Sequence, residues 1–212
     1  MTAETNKSIC RIVSAGEGLP PKDEILSGGL IIAADAGYIK LQSIGVTPHV
    51  IMGDFDSADR PGDGEYELAV HPSEKDDTDT GLCAEYAYSK GCREFYIYCA
   101  AGGRPDHEFA NYQLLVSLAR RGCFAVMKGG MFDVYALDGN GVNSLTIPRG
   151  RGTVSVFCMG DTAEGVTIRG LKYELDGYTM RCDYGIGVSN ERTDRDAVVS
   201  VRRGNLIVMV GK

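Results

Sequence analysis

The sequence contains no tryptophan and only three histidines in 212 residues. His49, His71 and His107 are scattered, and the seven cysteines form no C-x-x-C pair, which removes the usual zinc frameworks. The cysteines are odd in number and mostly lie among apolar neighbours, as reduced core thiols do. No apolar run approaches the ~18 residues needed to cross a bilayer, so no membrane partner is expected. Residues Met1 to Arg11 lack a signal peptide's apolar stretch, and the expected location is cytoplasmic. Basic residues are also short, with 22 Lys and Arg against 29 Asp and Glu and a net charge of −7. A phosphate backbone attracts the opposite balance, so nucleic acid is not an expected partner. Neither a Walker G-x-x-x-x-G-K-[ST] loop nor a G-x-G-x-x-G fingerprint is present. A nucleotide would have to be held another way.

What is present reads as two regions. Up to about residue 130, short apolar runs alternate with amphipathic segments. The expected strands are Ile9–Ser14, Leu30–Ala34, Val50–Met52, Glu67–Val70, Glu94–Ala100 and Cys123–Met127. Apolar residues at helical spacing predict helices over Thr78–Lys90 (Leu82, Cys83, Tyr86, Ala87) and Glu108–Arg120 (Tyr112, Leu115, Val116, Ala119). Strands alternating with helices predict an α/β domain with a mainly parallel sheet flanked by helices, over 1–130. From 131 to 212 the helical pattern disappears. Thr153–Met159, Gly165–Arg169, Tyr178–Asp183 and Ala197–Val210 predict an all-β antiparallel sandwich or barrel. The last of these reads as a hairpin, Ala197–Val201 and Leu206–Val210 joined through Arg202–Asn205.

Open parallel sheets bind ligands outside the carboxyl ends of their strands, and four distinctive loops follow expected strands here. They are Asp35–Ala36–Gly37, Gly53–Asp54–Phe55–Asp56–Ser57, Lys75–Asp76–Asp77–Thr78–Asp79 and Gly102–Gly103–Arg104–Pro105–Asp106–His107. On an extended Gly53–Ser57, Asp54 and Asp56 share a side. Two carboxylates ~4 Å apart repel by ~4 kcal/mol at an effective dielectric near 20 unless a cation or proton intervenes. Magnesium, a hard ion that takes carboxylates, water and phosphates, is the natural cation. The competing reading is a solvated Asx-turn. In the third loop Asp77 or Thr78 can cap the next helix, with Asp79 favourable in its first turn; Asp79 and Lys75 can equally serve a metal or a phosphate. In the fourth, two glycines permit close approach to a phosphate, Arg104 offers a planar fork, and Pro105 enters a helix whose N-terminus favours anions.

In this order, GDFDS (53–57), KDDTD (75–79), GGRPDH (102–107) and SNE (189–191) resemble the successive signatures of the thiamine pyrophosphokinase family, over nearly the whole chain. The resemblance implies an N-terminal α/β domain, a C-terminal β-sandwich and a homodimer with active sites between subunits. It implies transfer of pyrophosphate from ATP to the hydroxyl of thiamine, with Mg2+ on Asp54, Asp56 and Asp79 and help from Asp35. Arg104 and Asp106 would lie near the nucleotide together with Lys75, Asp77, Thr78, Gly102 and Gly103, and Ser189 and Asn190 near thiamine. The family's D-G-G-A-N is Asp35–Ala36–Gly37–Tyr38–Ile39 here, and its Pro-Asp is Pro48–His49. Without tryptophan, Tyr178 or Tyr184 is the candidate stacking face. The competing readings are a diphosphokinase for another heterocyclic alcohol, such as a hydroxymethylpterin, and a non-catalytic nucleotide-binding protein.

Overall fold

The computed structural model describes residues 8–53, 64–70 and 77–212. It divides into two units, one up to Asn111 and one from Tyr112. The first contains β1 (Ile9–Val13), α1 (Lys22–Ile25), β2 (Leu30–Ala34), α2 (Gly37–Ser43), β3 (Val50–Gly53), β4 (Glu67–Val70), α3 (Asp79–Ser89) and β5 (Glu94–Tyr98). The strands run parallel in the order β4-β3-β2-β1-β5, with Ile12 opposite both Ile32 and Ile97. Buried strands of a parallel sheet carry continuous apolar runs rather than alternation. Ile9–Val13 and Leu30–Ala34 are buried at four of five positions each. One core layer joins Val13, Ile25, Ala33, Leu41, Ile51 and Tyr98.

Pro105 opens α4 (Pro105–Arg120), one turn before the helix expected from Glu108. Its Leu115, Val116 and Ala119 are buried as the spacing predicts, joined by Leu118. α3 buries Thr80, Gly81, Cys83, Ala84 and Ala87, so the buried face is rotated from the expected one and Leu82 and Tyr86 lie at its margin. Small residues on that face let the helix lie close to the sheet.

The second unit is all-β after α4. It contains β6 (Phe124–Lys128), β7 (Phe132–Asp138), β8 (Ser144–Ile147), β9 (Thr153–Cys158), β10 (Thr162–Arg169), β11 (Leu175–Arg181), β12 (Asn190–Glu191), β13 (Ala197–Ser200) and β14 (Asn205–Gly211). Two sheets form, β12-β9-β14-β7-β6 and β11-β10-β13-β8, antiparallel throughout. Leu137, Val156, Val166, Ile168, Val199 and Leu206 fill the core between them. The expected hairpin Ala197–Val201/Leu206–Val210 does not form. β13 pairs with β10 and β8 while β14 pairs with β7 and β9, so Arg202–Gly204 carries the chain from one sheet to the other. Each strand needs apolar residues for a sandwich face, and that pattern is the same whichever sheet a strand joins.

Gly37, the first residue of α2, shows how tightly the helix approaches the sheet. A Cβ there would lie 1.9 Å from the Val13 carbonyl oxygen. Gly37→Ala is therefore expected to lower stability by ~3 kcal/mol through overpacking, or roughly 6–12 °C in Tm for a chain of this size. Gly130→Ala, where an added Cβ meets nothing within 4 Å, is the control and should leave the thermal melt almost unchanged.

Candidate active site

The carboxyl ends of β1, β2 and β5 and the starts of α3 and α4 enclose a cleft of about 290 Å³. Its walls come from Ser14, Ala15 and Gly16 after β1, Asp35 and Ala36 after β2, and Thr78 to Thr80 at the start of α3. Cys99, Ala100 and the Gly102–Arg104 loop complete it after β5, with His107 and Asn111 from α4. The loops after β1 and β5 are stitched together: the Gly16 N–H donates to the Cys99 carbonyl at 2.7 Å and the Glu17 N–H to that of Ala101 at 3.0 Å. A Cβ on Gly16 would sit 2.6 Å from the Cys99 oxygen, so this crossing needs glycine. Asn111 is buried and its amide donates to the Ala100 carbonyl at 2.8 Å, fixing the strand end.

Three non-glycine residues among those described adopt positive φ: Asp35 (47°), Cys99 (53°) and Ser189 (56°). Two of them line this cleft. Such conformations cost free energy and persist only where surroundings hold them, typically at functional sites. Asp35 is held by its own N–H, which donates to the Met52 carbonyl at 2.7 Å. Gly53 ends β3 directly against Asp35, where an added Cβ would lie 3.0 Å from the Asp35 Cα. Asp54 and Asp56 follow Gly53 but lie outside the described residues, as do Lys75 and Asp76.

At the third loop the capping role falls to Thr78, whose Oγ1 accepts from the Gly81 N–H at 3.1 Å. Asp77 Oδ1 accepts from the Thr78 N–H at 2.8 Å, and the Asp77 carboxylate lies over Gly81. Asp79, the first residue of α3, is half-buried and lines the cleft with Asp35, leaving the cap itself to its neighbour. Among the described residues no group of three or more His, Cys, Asp or Glu side chains is placed to hold a metal ion. The two described carboxylates supply hard oxygen donors of the kind magnesium takes.

Gly102 and Gly103 both take φ of 80°, the left-handed region that favours glycine. The Gly102 N–H is held by Glu108 Oε2 at 3.1 Å. Arg104 forks onto Asp106, Nε to Oδ1 at 3.2 Å and Nη2 to Oδ2 at 2.6 Å, with both side chains about two-thirds exposed. The hydrogen bonds from Arg104 hold the Asp106 carboxyl down at about 2, helped by the His107 N–H. Its folded-state value is lowered, so the pair is formed above the ordinary carboxylate range and is lost only as pH falls through about 2.

Ser189 and Asn190 belong to the second unit and are not among the residues lining this cleft. The Ser189 N–H donates to Ser155 Oγ at 3.0 Å. Asn190 is buried and its amide is engaged with backbone: Oδ1 accepts from Tyr173 N–H at 3.0 Å and Glu191 N–H at 2.9 Å, and Nδ2 donates to the Tyr173 carbonyl at 2.6 Å. Asn190→Ala leaves these peptide groups without their partner, at ~1–3 kcal/mol for a buried orphaned group. A thermal melt is expected to show that loss, and Asn190→Asp, which cannot donate to Tyr173, should not restore it. Tyr178 and Tyr184 are both exposed, and Tyr173, which the sequence did not single out, is more exposed than Tyr178.

Residues 23–127 match the family model for the thiamin pyrophosphokinase catalytic domain, and residues 143–206 match that for the thiamin pyrophosphokinase vitamin B1 binding domain. The chain belongs to the thiamin pyrophosphokinase family. A thiamine pyrophosphokinase of Bacillus subtilis is 27% identical over 188 residues, covering 85% of this chain and 86% of that protein. The fold agrees with the crystal structure of a Bacillus subtilis thiamine pyrophosphokinase at a TM-score of 0.82 and 23% identity, over 96% of this chain and 99% of that one. A Geobacillus thermodenitrificans thiamin pyrophosphokinase gives 0.81 and 24%, over 96% and 97%. The loops of Asp35, Asp79 and Arg104, which line one cleft, fall within the stretch matched by the catalytic-domain model.

Sequence reasoning overlooked the loop after β1 and the residues Ser14, Thr80 and Asn111. The signal for Ser14 was available, since it directly follows β1 at the carboxyl edge of the sheet, where ligands bind. Thr80 and Asn111 look like ordinary polar positions of amphipathic helices, and only the packing reveals them.

Proposed function

We propose that the chain transfers the pyrophosphate group of ATP to the primary hydroxyl of thiamine, giving thiamine diphosphate and AMP. The observation that carries this is the cleft itself, where two carboxylates, Asp35 and Asp79, share one wall system with a glycine loop bearing Arg104. A binding module has no need of clustered acids beside an anion-gripping arginine, whereas phosphoryl-type transfer needs positioning and charge neutralisation.

Asp35 and Asp79, with Asp54 and Asp56 from the loop that follows Gly53, would hold Mg2+. When bound, the ion neutralises charge on the phosphate oxygens. The chain's own groups do the rest. With the Gly102 N–H held by Glu108, the Gly102–Gly103 turn lets a phosphate come close to the backbone that follows, and the N-termini of α3 and α4 favour its charge. Arg104 exchanges its fork from Asp106 to a phosphate oxygen pair, and Lys75, Asp77, Thr78 and Asp106 border the nucleotide. The thiamine hydroxyl oxygen attacks the β-phosphorus in line, the bond from that phosphorus to the α,β-bridging oxygen breaks, AMP departs with that oxygen, and the hydroxyl proton leaves to solvent or a nearby base.

Ser189 and Asn190 border thiamine in this reading, supported by their position within the stretch matched by the vitamin B1 binding model. Asn190 contributes by holding the backbone of Tyr173. The functional division is set near residue 130, in keeping with the two family-model spans. The working form is a homodimer with active sites at the subunit interface, and the compartment is the cytoplasm. Titration calorimetry with ATP is expected to show binding in Mg2+ that EDTA abolishes. Equal binding in EDTA would remove the carboxylates from their role.

A further inference from the structure

At the floor of the cleft, Ser14 Oγ and Thr80 Oγ1 lie 2.8 Å apart, hydrogen-bonded to each other and joining the end of β1 to the first turn of α3. They are 5% and 7% exposed. Both line the cleft together with Asp35, Asp79 and Gly102. Resting on the phosphate-transfer reading above, we propose that this hydroxyl pair is a phosphate contact, donating one hydrogen bond to an anionic oxygen of the nucleotide.

The argument is an accounting of protons. Two hydroxyls carry two protons and several lone pairs, and the bond between them consumes one proton. Whichever hydroxyl accepts keeps a proton of its own. Among the described residues that second proton has no other acceptor, since the Ser14–Thr80 bond is the hydrogen bond these two side chains make. The backbone at Ser14 is already committed, its N–H donating to the Tyr98 carbonyl at 2.9 Å. A buried donor left unsatisfied is costly, and a charged oxygen is the acceptor that repays most. Thr80 is the second residue of α3, where the helix dipole favours negative charge. Thr78, by contrast, is occupied as the cap. Thr80, at the positive end of the helix dipole, presents the free proton, and Ser14 donates to Thr80 Oγ1 and orients it.

The test is titration calorimetry with Mg-ATP in the absence of thiamine, on Thr80→Val, Thr80→Ser and Ser14→Ala, with melts and steady-state kinetics in parallel. Thr80→Val keeps the shape and removes the hydroxyl. It is expected to raise the ATP Kd about 10-fold and the KM for ATP with it, while the KM for thiamine stays unchanged. Thr80→Ser should restore wild-type affinity, and Ser14→Ala should weaken ATP by at least about 3-fold. The two changes should be less than additive, because they remove one shared contact. Thr80→Val with wild-type ATP affinity, its melt lowered or not, would overturn the proposal and leave the pair as a structural bolt. Should Thr80→Val not fold, wild-type affinity in Ser14→Ala overturns it equally. If the wild type binds ATP but does not turn over thiamine, weakened ATP binding in these variants upholds the contact while the transfer reading falls.

Discussion

Replacing Asp79 by asparagine is expected to lower turnover by at least about 100-fold, the scale of losing an ionic group from a metal-binding set. The variant should stay folded. Thr78 provides the cap of α3, so the cap survives the change, and the favourable first-turn charge that is lost is a term of ~0.3–1 kcal/mol. Ligand-induced stabilisation should disappear with activity. A wild-type protein at 100 times the Kd of Mg-ATP gains about 2.7 kcal/mol from binding, and the asparagine variant should gain little of it. A purely structural Asp79 predicts the reverse: a lowered melt without ligand and a normal ligand-induced shift. Asp35→Asn is expected to follow Asp79→Asn, since the two carboxylates line one cleft. Melts with and without Mg-ATP, beside turnover, separate the outcomes.

Arg104→Lys should lower kcat/KM by roughly 10–150-fold, matching the ~1.5–3 kcal/mol of a hydrogen bond to a charged group. Lysine keeps the charge but loses the planar fork that arginine now lays across both Asp106 oxygens. Asp106→Asn is the informative companion. Its carboxylate competes with phosphate for the same guanidinium, so weakening it frees the fork, and ATP affinity should hold or improve. An arginine serving only to pin the start of α4 predicts that both variants lower the melt and neither changes ATP binding.

The parallel strands were legible because Leu30–Ala34 and Val50–Gly53 are unbroken apolar runs, buried throughout or nearly so. α2 was not, because it opens on Gly37 and is seven residues long, too short for a helical period to declare itself. Its glycine is there for the close approach to Val13, a contact 24 residues distant that local pattern does not encode. The exchange of sheets between β13 and β14 escaped for a related reason: alternation reveals a buried face but not which sheet owns it. At the site, the acidic loops and the Gly102–Arg104 loop were legible from composition and from their place after strands. The Ser14–Thr80 bond spans 66 positions, and Asn190's hold on Tyr173 spans 17. Both depend on topology, and neither has a local signature.

The most direct measurement of the central claim is product analysis with ATP, Mg2+ and thiamine, against the same reaction with a hydroxymethylpterin. The account predicts thiamine diphosphate and AMP in equal amounts, loss of both on chelation, and little turnover of the pterin. ADP with thiamine monophosphate, or efficient turnover of the pterin with thiamine inert, would contradict it.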